Sequence, residues 1–227
     1  AELTVPGVDH PAVVLALAYP SESRLEEVLS EEMDEIKLGS AYSERIGRIL
    51  ESNSKYFRRD TVNLITAHIF LAGGSTSDSE RTIQVGGAMT VDPSMLPANA
   101  HYVALGHLHR PQRIKAAPCP ARYSGSPLAY SFSEADYAKA VYVIDCIPGK
   151  ETEVKEINLK CGKPLRRWEA SNIGQALEWC REGRDKNAWV DLEIITDRIL
   201  TAEEQKQLRE LHPGLTNIRP RLIADGS

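Results

Sequence analysis

The sequence is short of several things that would decide its class at once. It has no apolar run near the ~20 residues that span a bilayer, and no basic, apolar, small-residue leader opens it, so it reads as a cytosolic protein without membrane attachment. Its four cysteines, Cys119, Cys146, Cys161 and Cys180, form no C-x-x-C pair and have no histidine at zinc-finger spacing. They read as free thiols, because a structural zinc site usually draws two ligands from one tight turn. Positive charge is not in excess: 27 Lys and Arg stand against 32 Asp and Glu, for a net charge of -5 and a pI near 5.7. That excludes a polycation gripping nucleic acid by bulk charge and leaves only a local basic patch. Aromatic residues are scarce at 6%, yet 42% of the 227 residues are hydrophobic. A unit of about 150 residues would bury roughly 70% of its unfolded surface, so a folded core is expected. No internal repeat or low-complexity tract is present.

The apolar run Ala12 to Tyr19, closed by Pro20, predicts a strand buried on both faces. A helix capped at Ser21 or Ser23 follows, with Leu25, Val28, Leu29 and Ile36 on one side and Gly39 as its stop. A second helix carries Tyr42, Ile46, Ile49, Leu50 and Phe57 on one face, and Arg45, Arg48, Lys55, Arg58 and Arg59 on a solvated one. Strands are predicted at Val62 to Ala67 and at Tyr102 to Leu105, with functional loops between them. Ala140 to Cys146 and Glu153 to Leu159 read as a hairpin turning at Pro148-Gly149. From Lys163 onward a smaller series begins, with strands at Leu165 to Glu169, Trp189 to Ile195 and Asn217 to Ile223. Helices at Ile173 to Arg181 and Glu203 to Leu211 alternate with them, the second capped by Thr201 with Glu204. The fold class is α/β: a layered body over 1–162 and a small α/β appendage over 163–227.

Both middle strands run into histidines, His68 after the first and Gly106-His107-Leu108-His109 after the second. In an extended chain residues i and i+2 share a face about 7 Å apart, so two imidazoles can serve metals ~3.5 to 4 Å apart. Gly106 would admit close backbone approach or a positive φ. His68 would join from the same carboxyl edge, where open α/β sheets place their sites. A bare H-x-H also arises by chance, and spacing alone leaves a metal site and hydrogen-bonded packing histidines evenly matched. His10, His101 and His212 are isolated and read as structural, His212 by its place at a helix C-terminus.

The segments ITAHIFLAGG, SDSERTIQVGG, YVALGHLHRPQ and RYSGSPLAYSFSEADYAKAVYVI resemble the later part of the SbcD family of nuclease subunits. These are DNA-repair members of the calcineurin-like metallophosphoesterases. The resemblance runs in order across most of Ala12 to Leu159, and the appendage is similar to that family's capping domain. It implies the later portion of a layered phosphoesterase sandwich followed by a capping domain. It further implies that His68 and His107 ligate one ion, typically manganese, and His109 the other, for two-metal attack on a phosphodiester. Arg110 and Arg122 would contact phosphate oxygens through their guanidinium forks, although a surface salt bridge serves each equally well. The implied partners are DNA ends and hairpins, an SbcC-type ATPase subunit, and a second copy in a homodimer.

The departures carry equal weight. The family's Asp-x-His, Gly-Asp and Gly-Asn-His motifs, which supply carboxylate ligands and the leaving-group acid, do not occur in the 227 residues. The chain therefore reads as a fragment that starts midway through the phosphoesterase domain. Alone it is expected to bind at most one ion weakly and to leave DNA uncut, since neutral imidazoles do not offset two adjacent dications. Two other readings stay open: a calcineurin-like phosphoesterase acting on small phosphate esters, and a non-catalytic DNA- or protein-binding module.

Overall fold

The computed structural model describes residues 1–20, 35–80, 89–160 and 162–223. They pack as two compact units, Ala1–Pro127 with Ala138–Leu159, and Leu128–Tyr137 with the chain from Lys160 onward.

In the first unit the chain runs through strands β1 (Glu2–Leu3) and β2 (Ala12–Leu17), helix α1 (Glu35–Ser54), and strands β3 (Val62–His68), β4 (Phe70–Leu71) and β5 (Thr90–Val91). Strands β6 (Tyr102–Gly106), β7 (Gln112–Arg113), β8 (Ala121–Tyr123), β9 (Lys139–Asp145) and β10 (Glu153–Leu159) complete it. The main sheet has the order β1-β2-β3-β6-β8-β7. Its central strands β2, β3, β6 and β8 are parallel, with antiparallel β1 and β7 at the edges. Because the parallel strands share a direction, β2, β3 and β6 deliver their carboxyl ends, Leu17, His68 and Gly106, to one rim.

One face of the sheet is closed. Val13, Ile65, Ala67, Val103, Leu105, Ala121 and Tyr123 form a buried cluster with Tyr42, Ile46 and Leu50 of α1, the three apolar positions its helical period sets on one side. The other face is less filled. A groove of about 490 Å³ lies between sheet residues such as Val14, Leu64, Thr66 and Ala104 and the β9–β10 hairpin at Tyr142 and Ile144. Strand β2 is accordingly interior in its hydrogen bonding, but only Val13 of its residues is buried. The expectation of burial on both faces is corrected.

Gly39 does not stop a helix, because α1 continues through it from Glu35. A lone glycine costs a helix only about 1 kcal/mol relative to alanine and is no breaker without a following proline. The expected preceding helix, with Leu25, Val28 and Leu29, lies outside the described residues. Phe57 is buried as expected, yet three residues past the helix end, in a turn where its N–H donates to Ser54 O. Cys119, Cys146 and Cys180 are free thiols, while Cys161 lies outside the described residues.

In the second unit, strand β11 (Leu165–Ala170), helix α2 (Ile173–Arg181), strand β12 (Trp189–Thr196), helix α3 (Ala202–Leu211) and strand β13 (Leu215–Leu222) form a three-stranded parallel sheet of order β11-β12-β13 with its helices. Its core gathers Trp168, Ala176, Cys180, Val190, Leu192, Ile194 and Leu208. The hairpin and all five elements of the small series stand where periodicity placed them, to within one or two residues.

His212 caps α3 and is buried at 2% exposure. Its Nδ1 accepts from Gly214 N–H and its Nε2 lies 3.2 Å from Arg184 O, so hydrogen bonding and burial, more than the helix dipole, explain it. His101 is structural as well, its Nδ1 accepting the Asn63 N–H at 3.0 Å.

Candidate functional site

Strand β3 ends at His68, whose register partner on β6 is Gly106. A Cβ at position 106 would stand 2.9 Å from His68 Nδ1, so the glycine is required because the imidazole occupies the space a side chain would take. The positive φ falls one residue later, on His107 at 111°. The chain therefore leaves the strand at His107 instead of continuing extended, and Leu108 turns into the core with 2% exposure. The expectation that His107 and His109 face one side of an extended segment is corrected by that turn.

The turn brings the His107 ring to 5.4 Å from the His68 ring, edge to face. Tyr19, just beyond β2 on the same rim, stacks on His107 at 6.2 Å and meets His68 edge-on at 5.7 Å. Burial first, then the His109 charge, lowers the His68 pKa below its ordinary value. Burial first, then His68, lowers that of His107 more than Glu80 raises it. Both rings are therefore held toward the neutral form that can donate a lone pair to a metal.

His109 is close enough to influence both rings by charge, and its own surroundings are built. Its Nδ1 lies 2.7 Å from Ser79 Oγ, its N–H donates to Glu80 Oε1 at 2.8 Å, and its carbonyl accepts from Lys139 Nζ at 3.1 Å and from Ser126 N–H at 3.1 Å. Gly125, at φ +78°, passes so close that a Cβ there would meet His109 O at 2.6 Å. Tyr123 links this region to β3: its hydroxyl donates to Ile69 O at 2.8 Å and accepts from Leu71 N–H at 2.9 Å.

Arg110 is exposed and lines a cleft of about 560 Å³ together with Arg113 and Lys115. Arg122 places its guanidinium 5.5 Å from the Tyr142 ring centre, on strand β9, and its Nε is buried without a hydrogen-bond partner.

Whether a metal suits the histidine rim can be tested on its donors. His107 Nε2 is buried and has no hydrogen-bond partner, a state that costs free energy unless something accepts its lone pair or proton. Imidazole nitrogens suit divalent transition metals, so the His68–His107 pair fits as part of a ligand set. It is only part: among the described residues no group of three or more His, Cys, Asp or Glu converges to hold an ion.

Sequence reasoning missed Tyr19 and the clamp of Ser79, Glu80, Ser126 and Lys139. Tyr19 was findable, since it follows the strand that pairs with β3. The clamp is made by contacts 17 to 30 residues apart in sequence, which no local pattern announces.

Comparison with known proteins supplies the remaining link. The SbcD subunit of nuclease SbcCD from Bacillus subtilis (strain 168) is 52% identical over 219 residues, 96% of this chain and 56% of that protein, in its C-terminal part. The chain belongs to the SbcD family. The SbcD subunit from Escherichia coli (strain K12) is 32% identical over 63% of the chain and 36% of its own length. That of Staphylococcus epidermidis is 29% identical over 77% and 45%. This SbcD-family chain thus spans about half, or less, of the length of the curated relatives it matches. No family model matches. A solved ketoreductase domain from the bacillaene assembly line covers 97% of the chain and 53% of itself at 11% identity and a TM-score of 0.20, which carries no argument. Among the described residues no helix is long and apolar enough to cross a membrane.

Proposed function

We propose that this chain is the later part of a manganese-dependent DNA nuclease subunit that hydrolyses phosphodiester bonds at DNA ends and hairpins during repair and recombination, in a complex with an SbcC-type ATPase and a second copy of itself. The observation that carries the reading is the pair His68 and His107, 5.4 Å apart on adjacent parallel strand ends, with the buried His107 Nε2 lacking any partner. His68 and His107 would hold one ion and His109 a second. Bound divalent ions supply Lewis acidity toward the phosphodiester and an activated water for in-line displacement. The chain's own contribution is to keep the imidazoles neutral by burial and to fix them on a rigid sheet rim.

Arg110, Arg113 and Lys115, which line one cleft, would attract the sugar-phosphate backbone without reading its sequence. Arg122, under Tyr142, supports substrate contact less directly than Arg110. The second unit would act as the capping domain that helps hold DNA. The protein would work in the cytoplasm.

Two or three imidazoles do not neutralise a pair of dications, and among the described residues no third His, Cys, Asp or Glu joins them, so on this reading the carboxylate ligands lie in the part of the SbcD relatives that this chain does not span. The 227-residue chain is therefore expected to leave DNA uncut with manganese present, while the complete subunit cuts it and loses activity on His107→Ala. Cleavage by the chain alone that disappears in His107→Ala would overturn the claim of incompleteness. Undiminished cleavage by the complete His107→Ala subunit would overturn the site.

A further inference from the structure

The turn that follows β4 and the segment that follows His109 are tied together by one side chain, and the proposed metal site gives that tie no task. Gln112 Oε1 accepts the Ser75 N–H at 2.8 Å, and its Nε2 donates back to Ser75 O at 2.9 Å and to Arg110 O at 3.1 Å. The side-chain amide thus pairs with Ser75 as a neighbouring strand would, across 37 residues of sequence. The turn it grips is itself seated. Gly74 N–H donates to Leu71 O at 3.1 Å, and a Cβ on Gly74 would stand 2.6 Å from Leu108 Cδ1, so the turn lies against the buried side chain between His107 and His109. The cleft of about 560 Å³ runs between the two tied segments. Both of its walls grow out of the histidine segments, Arg110 directly after His109 and Ala72 shortly after His68, so a strand lying in the cleft leads to the rim.

We propose that Gln112 is a positioning residue for the DNA backbone: by tethering β7 to the 72–75 turn, it fixes Arg113 and Lys115 along one cleft, where they contact phosphates of a single strand leading to the histidine rim. The DNA half of this statement rests on the function proposed above; the tether stands on the geometry alone.

The need for a tether follows from how little else holds β7. It is a two-residue strand at the edge of the main sheet. Its register sets Arg113 opposite Arg122 on β8, and like charges directly opposite in an antiparallel pair are destabilising. Ile114 anchors the far end, burying its side chain at 4% exposure and donating its N–H to Ala121 O at 3.0 Å. Gln112 anchors the end nearer to His109. Arg113 and Lys115 are exposed and make no ion pair among the described residues, so their charge is open to an anion from solution. A phosphate backbone suits a row of fixed cations, because each phosphate they neutralise releases condensed counterions. Such contacts set the register of a strand and carry no sequence information.

The test uses a substitution that removes the tether and no charge. Gln112→Met keeps the size of the side chain and deletes its three hydrogen bonds. In the 227-residue chain, hydrogen exchange should show the Ser75 amide losing its protection while the denaturant midpoint stays close to that of the wild type. Binding of a fluorescent DNA hairpin with a single-stranded tail, followed by anisotropy over a range of salt with no metal present, reads the function. Arg113→Gln and Lys115→Gln should each make the slope of log affinity against log salt shallower by about 1, one phosphate contact apiece. A residue with a merely structural task would leave that slope alone; Gln112→Met should make it shallower by about 1 to 2. A slope unchanged in Gln112→Met but reduced in the other two overturns the tether and leaves the cleft as a DNA contact. Slopes unchanged in all three variants, or no DNA binding by the wild-type chain at low salt, overturn the whole inference. Cleavage by the complete subunit that depends on His107 would then keep the nuclease reading standing without it. A wild-type Ser75 amide that exchanges as fast as an open loop overturns the tether without any variant.

Discussion

His107 pays for its position with backbone strain. A non-glycine residue at φ 111° lies outside the regions that L side chains prefer, at a cost of order 1–3 kcal/mol. The return on that cost is geometric: the turn at His107 sends Leu108 inward and leaves the imidazole beside His68 and under Tyr19. The strain can be measured without the ring. His107→Ala and His107→Gly both delete the imidazole, but only alanine keeps the penalty, so the glycine variant should be the more stable by about 1 kcal/mol. Denaturant unfolding of the two proteins compares them directly. Equal stabilities, or a more stable alanine variant, would show that the turn is unstrained.

Helix α3 shows how much an element's local chemistry can declare. Thr201 Oγ1 accepts the Glu204 N–H at 3.2 Å and Glu204 Oε2 accepts the Thr201 N–H at 2.8 Å, the reciprocal cap that the Thr-x-x-Glu spacing announces. Arg198 adds its fork to the same carboxylate at 2.6 and 3.0 Å. That fork first, then the Thr201 N–H, depresses the Glu204 pKa from 4.5 to about 2. The sign follows from the depression: the cap's electrostatic support is complete above the unfolded value of 4.5 and is lost as pH falls toward 2. Thr201→Ala should cost the second unit about 1 kcal/mol, and the NMR titration midpoint of Glu204 should rise in Arg198→Gln. A midpoint left in place would remove Arg198 from the account. Elements of this kind were legible because their signals are local: caps, a period of apolar residues, a Pro-Gly turn. The strand ends at His68 and Gly106 were legible for the same reason. What was not legible is long-range. Nothing near Gly39 says that tertiary packing will carry α1 through it, and nothing in Ser79 or Glu80 says which histidine each will meet.

At the scale of the molecule, the two hydrophobic clusters share no residue. The second unit also draws in Leu128–Tyr137, a stretch that precedes β9 in the chain. Sequence pattern placed the change of character near Lys163, since a short segment with no strong period gives no sign of the unit it joins. Each unit having its own core makes a separable prediction. Leu192 sits in the central strand β12 at 0% exposure, within the second cluster. Leu192→Ala removes buried methylenes and opens a cavity, which should cost about 2–5 kcal/mol. That loss should fall on the second unit alone. The Trp168 and Trp189 fluorescence, reporting on β11 and β12, should unfold at lower denaturant. The imidazole signals of His68 and His107 should keep their positions and their midpoint. If those signals moved together with the tryptophan fluorescence, the units would be one cooperative body, and the histidine rim would depend on a core to which it contributes no side chain.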